Sequence, residues 1–408
     1  MNYDIIFAGG GAAALMLLYK MSKDTTLSQK KILVIDKEKK DSNNRTWSFW
    51  TKQKTDFDVL VHKEWKKVRF TAPKLDKIDE LESLKYKMIR GIDFYNFVNA
   101  KLSEFENIEF LQAEVNQVKS VSENETEVSL TEEFGSKIFT SEYVFDSRFL
   151  KENIPPKSNQ YHSLLQHFFG YVIETDESIF DIETAQLFDM RLPQRNAVEF
   201  VYILPLAHNK ALVEYTLFSS ALLENKELYK VRLENYIETK LKTTGYRVLE
   251  EEYGVIPMTD YKFEQPKEKN IIYLGTKAGR AKPSTGYAFL RMYRDAERRV
   301  EAWKTTGKPH YREKFNKQFE TYDSMILNIM ERDPADIQRI FTEMFQNNSI
   351  ENVLLFLDEQ TNFLSDLKIM ASVSPVPFLT SIKNLVIGKK GQKLHQPYDS
   401  GKIALATT

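Results

Sequence analysis

The chain opens on Tyr3-Asp-Ile-Ile-Phe-Ala-Gly-Gly-Gly-Ala-Ala-Ala14, in which a short apolar run leads directly into three glycines. Residues 3–8 are typical of a buried strand, and the alanine-rich residues 12–21 predict a helix. A second apolar run, residues 31–36, predicts another strand that ends at Asp36. Strand, glycine turn, helix and strand form a βαβ unit, so we predict an α/β fold with a parallel sheet.

The glycine turn matches the pattern Gly-x-Gly-x-x-Gly/Ala of dinucleotide-binding proteins. Glycines let the backbone approach a pyrophosphate, and the helix N-terminus offers free N–H groups and a partial positive charge. Asp36 has the spacing of an acid that accepts hydrogen bonds from ribose hydroxyls. A glycine turn that binds nothing is the simpler alternative. We predict a cofactor site that contains Ala8, Gly9, Gly10, Gly11, Ala12, Ala13, Ala14 and Asp36.

The rest of the chain favours FAD over NAD. An NAD dehydrogenase usually continues as a compact doubly wound domain, whereas residues 115–146 have the short β patterns of a meander. A second glycine-rich strand exit follows at residues 272–287, and we predict that Gly275, Thr285 and Gly286 contact the flavin. A Pro/Gly loop without a ligand is the alternative for this segment.

Two charged residues are weaker candidates for the same site. Arg45 lies in residues 41–50, which we interpret as an aromatic-rich loop, and it would contact flavin phosphate or ribose or form a surface salt bridge. Asp146 ends a predicted strand of the nucleotide sheet, where it would lie near the flavin nucleotide or cap the turn. Farther along, residues 165–216 are β-rich, and the pattern beyond residue 310 is helical.

Composition excludes several classes of function. Lys plus Arg total 57 and Asp plus Glu total 58, which argues against a nucleic-acid binder. The chain has no cysteine, which rules out disulfides, thiolate zinc sites, iron–sulfur clusters and a cysteine nucleophile. No spaced His/Asp/Glu cluster predicts a metal. No apolar run reaches the ~18 residues of a membrane-spanning helix, and the 408 residues suggest two to three domains.

Several segments together resemble the lycopene cyclase family of flavoproteins. The resemblance begins at the glycine turn and runs to about residue 380, and the order and spacing of the segments make it specific. The segments are Asn44-Arg-Thr-Trp-Ser-Phe-Trp50, Gln166-His-Phe-Phe-Gly170, Leu187-Phe-Asp-Met-Arg191, Tyr202-Ile-Leu-Pro-Leu206 with Val213-Glu-Tyr-Thr216, and Lys282-Pro-Ser-Thr-Gly-Tyr287.

The resemblance implies a glutathione-reductase-like FAD-binding fold with an interleaved β-rich substrate region and a C-terminal helical cap. It also implies cyclisation of the ends of lycopene and related acyclic carotenes, with FAD in its reduced form and NAD(P)H as the electron source, but no net redox change. Glu214 falls on the family's catalytic glutamate. Asn44 stands where some members have Asp, and Tyr215 where some have a second acid, which puts the neighbouring hydrogen bonds in doubt.

The chemistry explains why a buried acid is needed. A carbon–carbon double bond is a very weak base, so its proton donor must be a carboxyl whose pKa is raised by an apolar pocket. On a strand, Leu212 and Thr216 share the face of Glu214; a solvent-facing glutamate on an edge strand is the alternative. Trp47, Phe49 and Trp50 would offer aromatic faces to a carbocation, although core packing is the favoured interpretation for at least two of them. Asp189 is the next acid to consider, and His167 is interpreted as structural.

The predicted organisation is discontinuous. Residues 1–70, 85–150 and 265–305 form the FAD-binding domain, residues 155–260 the substrate region, residues 306–385 the helical cap and residues 386–408 a polar basic tail. Because lycopene partitions into lipid, we expect a cytoplasmic protein bound peripherally to the inner face of the membrane. The apolar residues 369–379, with Lys383, Lys389, Lys390 and Lys393 after them, suit docking on anionic lipid; a buried C-terminal helix with a solvated tail is the alternative.

These inferences together predict a lycopene β-cyclase, an isomerase that makes β-carotene by way of γ-carotene. Two alternatives stay open. A redox flavoenzyme of similar fold, such as a hydroxylase or isoprenoid reductase, would oxidise reduced nicotinamide in proportion to its substrate. A non-enzymatic carotenoid- or flavin-binding module would tolerate loss of the carboxyl of Glu214.

Overall fold

A computed structural model describes residues 2–43, 45–155, 158, 160–313 and 316–386. The strands are β1 (Asn2–Ala8), β2 (Ile32–Asp36), β3 (Thr46–Thr51), β4 (Val61–Trp65), β5 (Lys67–Ala72), β6 (Leu75–Glu80), β7 (Lys85–Arg90), β8 (Ile108–Gln112), β9 (Val115–Ser122), β10 (Glu125–Leu130), β11 (Ile138–Asp146), β12 (Ser163–Thr175), β13 (Thr184–Asp189), β14 (Val198–Ala207), β15 (Lys210–Ser219), β16 (Tyr246–Thr259) and β17 (Ile271–Tyr273). The helices are α1 (Ala12–Ser22), α2 (Gly91–Leu102), α3 (Lys226–Tyr236), α4 (Phe289–Thr306), α5 (Lys317–Arg332), α6 (Pro334–Asn347), α7 (Ile350–Leu357), α8 (Phe363–Ala371) and α9 (Val376–Val386).

The first sheet contains the predicted βαβ unit. Its order is β8-β2-β1-β11-β10-β9, and β17 pairs with β11. Strands β1 and β2 are parallel, with Ile5 opposite Ile32, and helix α1 connects them as predicted. Helices α1, α2 and α4 share an apolar core with one face of this sheet. The carboxyl ends of β1, β11 and β17 therefore lie side by side, where the glycine turn begins.

The second sheet is the larger β region and has the order β16-β12-β15-β14-β13-β5-β6. The last two strands at one end of this sheet, β5 and the edge strand β6, come from early in the chain, so the sheet is assembled from distant segments. Strand β15 has apolar residues on both faces: Leu212 and Phe218 enter one core, and Val213 and Leu217 enter another. This alternation confirms the predicted strand faces around Glu214.

A third sheet, β3-β7-β4, corrects the interpretation of residues 41–50 as a loop. Residues 46–51 are a strand, paired antiparallel with β7 from Thr46 opposite Arg90 to Thr51 opposite Lys85. Aromatic and β-branched side chains suit a pleated, half-buried strand, and the aromatic pattern of this segment is explained by that preference. Asn44 lies outside the described residues.

The C-terminal part of the described chain is helical, as predicted. Helices α5 and α6 pack on the second sheet, and their apolar faces form one core with it. The helix predicted from residue 311 begins at Lys317, because Asn316 caps it by accepting a hydrogen bond from the N–H of Gln318 at 3.2 Å. Among the described helices, none alone has the length and apolar character to span a membrane; α8 and α9 meet the criteria only as a pair, bent by 113°. The predicted basic tail, apart from Val386, lies outside the described residues.

Candidate active site

A cavity of about 720 Å³ joins the first sheet to the second. Gly9, Gly11 and Asp36 line it at the carboxyl ends of β1 and β2, and Glu214 and Phe218 line it on β15. Its volume is within the range of small-molecule and cofactor sites. The glycine turn and the glutamate, which are about two hundred residues apart in the chain, therefore share one cavity.

The glycine turn has the shape that a pyrophosphate requires. Gly9 has a left-handed backbone, with φ of +95°, and a Cβ there would lie 2.7 Å from Oγ of Ser147. A Cβ at Gly11 would meet no atom within 4 Å, so the turn leaves space in front of the N-terminus of α1. Ala12 and Ala13 also line the cavity, whereas Ala8, Gly10 and Ala14 lie behind the lining.

Asp36 lies at the cavity and closes the turn from the β2 side. Its Oδ2 accepts a hydrogen bond from the N–H of Gly10 at 2.6 Å, and its Oδ1 accepts one from the N–H of Glu38 at 2.8 Å. Arg45 also lines the cavity, and its carbonyl accepts a hydrogen bond from the N–H of Gly91 at 2.9 Å. Their contacts with a cofactor stay a prediction.

The second glycine-rich segment packs directly against the first. Gly275 has φ of +60°, and a Cβ there would lie 3.0 Å from Cβ of Ala13. Gly275, Thr285 and Gly286 all line the cavity. Within the described chain, Oγ1 of Thr285 and Oε1 of Gln166, both buried at the cavity, have no hydrogen-bond partner. Buried polar atoms are normally paired, so these two fit a polar ligand at this end.

Asp146 does not line the cavity and instead forms buried ion pairs. Its carboxylate bonds to Nε and an amino group of Arg148, both at 2.9 Å, and to Nζ of Lys277 at 2.7 Å. Burial alone would raise the pKa of Asp146, but the hydrogen bonds and charges of Arg148 and Lys277 outweigh it and lower the pKa. The carboxylate holds two chain segments together beside the glycine turn.

Glu214 lies inside the second sheet, between β12 and β14, and only 1% of its surface is exposed. It therefore does not face solvent on an edge strand. Its carboxyl accepts hydrogen bonds from Oγ1 of Thr216 at 2.9 Å and from the hydroxyl of Tyr202 at 3.3 Å. No Lys, Arg or His among the described residues pairs with it. Burial, and next the charge of Glu252, raise the pKa of Glu214 well above its ordinary value.

Sequence reasoning missed Glu252, which is 7% exposed and lies on β16. Its side chain lies beside that of Glu214, since a Cβ built on Gly170 would be 3.3 Å from Cγ of both glutamates. Its Oε2 accepts a hydrogen bond from Oγ1 of Thr46 at 2.8 Å. Burial raises the pKa of Glu252 as well. Glu252 belongs to the run Glu250-Glu251-Glu252, which is typical of a solvated segment, and no local signal in the sequence distinguishes its last member.

A family model described as "Lycopene cyclase protein" matches residues 4–383, nearly the whole chain. This chain belongs to the lycopene cyclase family. The resemblance inferred from the short motifs is thereby confirmed. No curated protein sequence matches the chain.

Solved structures show how this lycopene cyclase family member folds. A flavoprotein/dehydrogenase from Cytophaga hutchinsonii is 10% identical with a TM-score of 0.61, over 95% of this chain and 100% of that one. A geranylgeranyl bacteriochlorophyll reductase-like protein from Thermoplasma acidophilum is 17% identical with a TM-score of 0.56, over 94% and 99%. A variant of the halogenase PltM in complex with FAD is 12% identical with a TM-score of 0.53, over 95% and 87%. These likenesses confirm the predicted fold class.

The three aromatic side chains of strand β3 have different environments in this family member. Trp47 lines the cavity, whereas Phe49 stacks on Phe289 with ring centroids 4.6 Å apart, and Trp50 donates from Nε1 to the carbonyl of Leu354 at 2.9 Å. Two of the three are therefore packing residues, as the sequence interpretation favoured.

Two other residues singled out in the sequence have structural environments. Asp189 does not line the cavity; it bonds Nε of Arg191 at 2.9 Å and accepts the hydroxyl of Tyr236 at 2.5 Å. The acid next to Glu214 is therefore Glu252, and Asp189 is not the second candidate. His167 bonds Ser219 and Tyr229 at 2.7 and 2.6 Å, and burial lowers its pKa to about 4, so it is neutral.

Proposed function

We propose that this chain is a lycopene β-cyclase, which converts the acyclic ends of lycopene to β-rings without net redox change. The observation that carries the proposal is the position of Glu214, a buried carboxyl with which no described Lys, Arg or His pairs, in the cavity that begins at the glycine turn. Family membership supplies the substrate class. The site itself supports acid chemistry on an uncharged molecule, because apolar and aromatic side chains such as Phe200 and Phe218 line the cavity that the carboxyl faces.

We propose that FAD binds at the end of the cavity lined by Gly9, Gly11 and Asp36, which we call the nucleotide end. The open space at Gly11, the N-terminus of α1 and Asp36 suit a pyrophosphate and a ribose. The unpartnered oxygens of Thr285 and Gln166 suit the polar parts of the flavin. Bound there in reduced form, with NAD(P)H as the electron source, FAD would supply negative charge that stabilises a cationic intermediate.

Glu214 does the proton chemistry in this proposal. Its carboxyl gives a proton to a terminal double bond, the neighbouring double bond attacks the resulting cation and closes the ring, and a proton is lost from the new ring. Burial keeps the carboxyl protonated until substrate arrives. Trp47, Phe200 and Phe218 line the cavity and exclude water, which would otherwise capture the cation.

Replacement of Glu214 by Gln tests the proposal. An amide keeps the shape of the side chain but cannot act as the acid, so we expect turnover of lycopene in liposomes to fall about 10²–10⁴-fold. Flavin content and fold should be unchanged. Glu214→Asp should keep part of the activity, because it retains the acid one methylene farther back. Near wild-type β-ring formation by flavin-loaded Glu214→Gln would refute the proposal, and stoichiometric loss of NADPH with wild type would favour a redox flavoenzyme.

The glycine turn offers a separate test of FAD binding. A Cβ at Gly11 meets no protein atom within 4 Å, so Gly11→Val should fold normally. Its branched side chain would occupy the space proposed for the pyrophosphate, and we expect FAD binding to be lost. Flavin absorbance after purification and circular dichroism measure the two properties. Unchanged flavin content would contradict the assignment.

The membrane contact that we propose lies on α8 and α9. Exposed apolar side chains on these helices form the C-terminal apolar face: Phe363, Leu364, Leu367, Val376, Leu379, Ile382 and Val386. Leu364 is 75% exposed, whereas Ile369 and Val373 from the predicted docking segment are buried. Lys389, Lys390 and Lys393 lie outside the described residues. This face, with a cytoplasmic location, suits a protein bound to the inner surface of the membrane.

Paired substitution tests this surface. Leu364→Ser with Leu379→Ser removes two exposed side chains from the C-terminal apolar face, so binding to liposomes that contain anionic lipid should fall several-fold. Ile138→Ser is the matched control, because Ile138 is an exposed apolar residue of the first sheet, 57% exposed. Cosedimentation measures both, and an equal loss in the control, or none in the double variant, would contradict the proposed surface.

A further inference from the structure

We propose that Glu252 is a positioning residue for the acid: Glu214 and Glu252 share one proton across Gly170, and Glu252 carries the negative charge that keeps the proton on Glu214. This inference rests on the proposed function, because it assigns a partner to the acid of that reaction. Glu252 does not line the cavity and acts through Glu214.

The sheet register brings the two carboxyls together. Strand β12 lies between β15 and β16, and Gly170 is directly opposite Glu214 on one side and Glu252 on the other. Directly opposite residues point to the same face of a sheet. Strands two apart are separated by about 10 Å, so a side chain at position 170 would normally stand between the two glutamates.

Gly170 leaves that space open. A Cβ built on it would lie 3.3 Å from Cβ and Cγ of Glu214 and 3.3 Å from Cγ of Glu252. The backbone at Gly170 does not have a positive φ, so its conformation does not call for glycine. The space between the two carboxyls is what calls for it.

The hydrogen bonds around the pair determine how many protons it holds. A hydrogen bond between two carboxyls requires a proton on one of them, and two carboxylates in contact would repel each other. Oε2 of Glu252 accepts a hydrogen bond from the hydroxyl of Thr46, whereas Oε1 has no hydrogen-bond partner within the described chain other than the carboxyl of Glu214 beside it. The carboxyl of Glu214 therefore provides the proton between them.

The groups that face the pair differ between its two members. On the side of Glu214 these are the hydroxyls of Tyr202 and Thr216, with Tyr86 and Tyr287 across the cavity. On the side of Glu252 they are Thr46 and the charges of Glu250 and Arg45. The charge of Arg45 acts to lower the pKa of Glu252, so the anion of the pair is favoured on Glu252 and the proton on Glu214.

The arrangement accounts for the proton through the whole reaction. The O–H bond of Glu214 breaks as a C–H bond forms at the terminal double bond, and the ring closes by a new C–C bond. A C–H bond beside the cationic carbon then breaks, and its proton returns to the carboxylate pair. No electron leaves or enters, and the pair begins the next turnover with one proton again.

The test compares Glu252→Gln and Gly170→Ala with the control Glu251→Gln. Without the charge at position 252, Glu214 should lose its proton at lower pH, so the alkaline limb of the turnover–pH profile should move down by about 1 unit or more. At neutral pH turnover should fall several-fold and recover on acidification, and Glu252→Asp should restore most of it. In Gly170→Ala the added methyl separates the carboxyls and should move the limb in the same direction. Glu251 is exposed and pairs with Lys230 at 3.1 Å, so its variant should keep the wild-type profile.

Infrared difference spectroscopy on the flavin-loaded protein gives a readout that does not depend on turnover. Wild type should show a protonated carboxyl band at neutral pH that shifts in Glu252→Gln and disappears in Glu214→Gln. If Glu214→Gln is inactive but neither Glu252→Gln nor Gly170→Ala changes the pH limb or the band, the proton-sharing inference is overturned and the acid role of Glu214 stands. If Glu214→Gln remains active, the proposed function fails, and a band shift would still establish the shared proton.

Discussion

Asp146 lies near one end of the cavity and Glu214 lines the other, and these two buried acids have opposite surroundings. Asp146, beside the nucleotide end, is held by Arg148 and Lys277, and their hydrogen bonds and charges lower its pKa against the effect of burial. Glu214, on the second sheet, has hydroxyl groups and a second carboxyl around it, and burial raises its pKa. Burial alone therefore does not set the charge of a carboxyl. The neighbouring groups favour the anion of Asp146 and the protonated form of Glu214.

The largest effect that we predict from this difference is a loss of stability on replacement of Asp146. Asp146→Asn would leave the buried Lys277 and the partly buried Arg148 without their counter-charge, so we expect the free energy of unfolding to fall by about 3–5 kcal/mol. Urea unfolding measures it. Glu104→Gln is the control, since Glu104 pairs with Lys101 at 3.0 Å on the surface and such pairs contribute only about 0–1 kcal/mol. Similar losses of unfolding free energy in Asp146→Asn and Glu104→Gln would contradict the conclusion that Asp146 is a buried anion held by its ion pairs.

A smaller effect is predicted in the pH dependence of stability. The pKa of Glu214 is raised in the folded state, so its contribution to stability is complete below the ordinary value near 4.5 and is lost as pH rises toward the folded value. Glu214→Gln lacks this loss. Its stability relative to wild type should therefore increase from about pH 5 to 8, by at most about 1.4 kcal/mol per pH unit. Parallel stability curves for the two proteins would show that Glu214 is ionised when folded.

The nucleotide end was largely predictable because its information is local. Strand, glycine turn, helix and acid lie within residues 3–36, and their spacing alone places Gly9, Gly11 and Asp36 at one sheet edge. The helical C-terminal part was predictable for the same reason, from periodicity within each segment. The strand β3 was not, because a run rich in aromatic side chains also suits a loop at a binding site.

The arrangement of acids around Glu214 depends on contacts between distant segments of the chain, so it was less predictable. Glu214 was found through its apolar strand and its motif, but Asp189 was named as the second acid because it also lies in a motif. The structure binds Asp189 to Arg191 and Tyr236 and brings Glu252 to Glu214 instead. Nothing in the run Glu250-Glu251-Glu252 distinguishes its last member, since only the pairing of β16 with β12 turns that side chain inward.

The sequence by itself determined the βαβ unit and the strand that carries Glu214, because each depends on residues close together in the chain. It also determined the family, because short motifs occur in a fixed order along the chain. Tertiary structure alone decided that the glycine turn and Glu214 share a cavity, and that Gly170 lies between two carboxyls. Both results depend on strand order and register, which are set by packing across the whole molecule. The charge of a buried acid is decided at the same level, because it depends on which groups the fold places next to it.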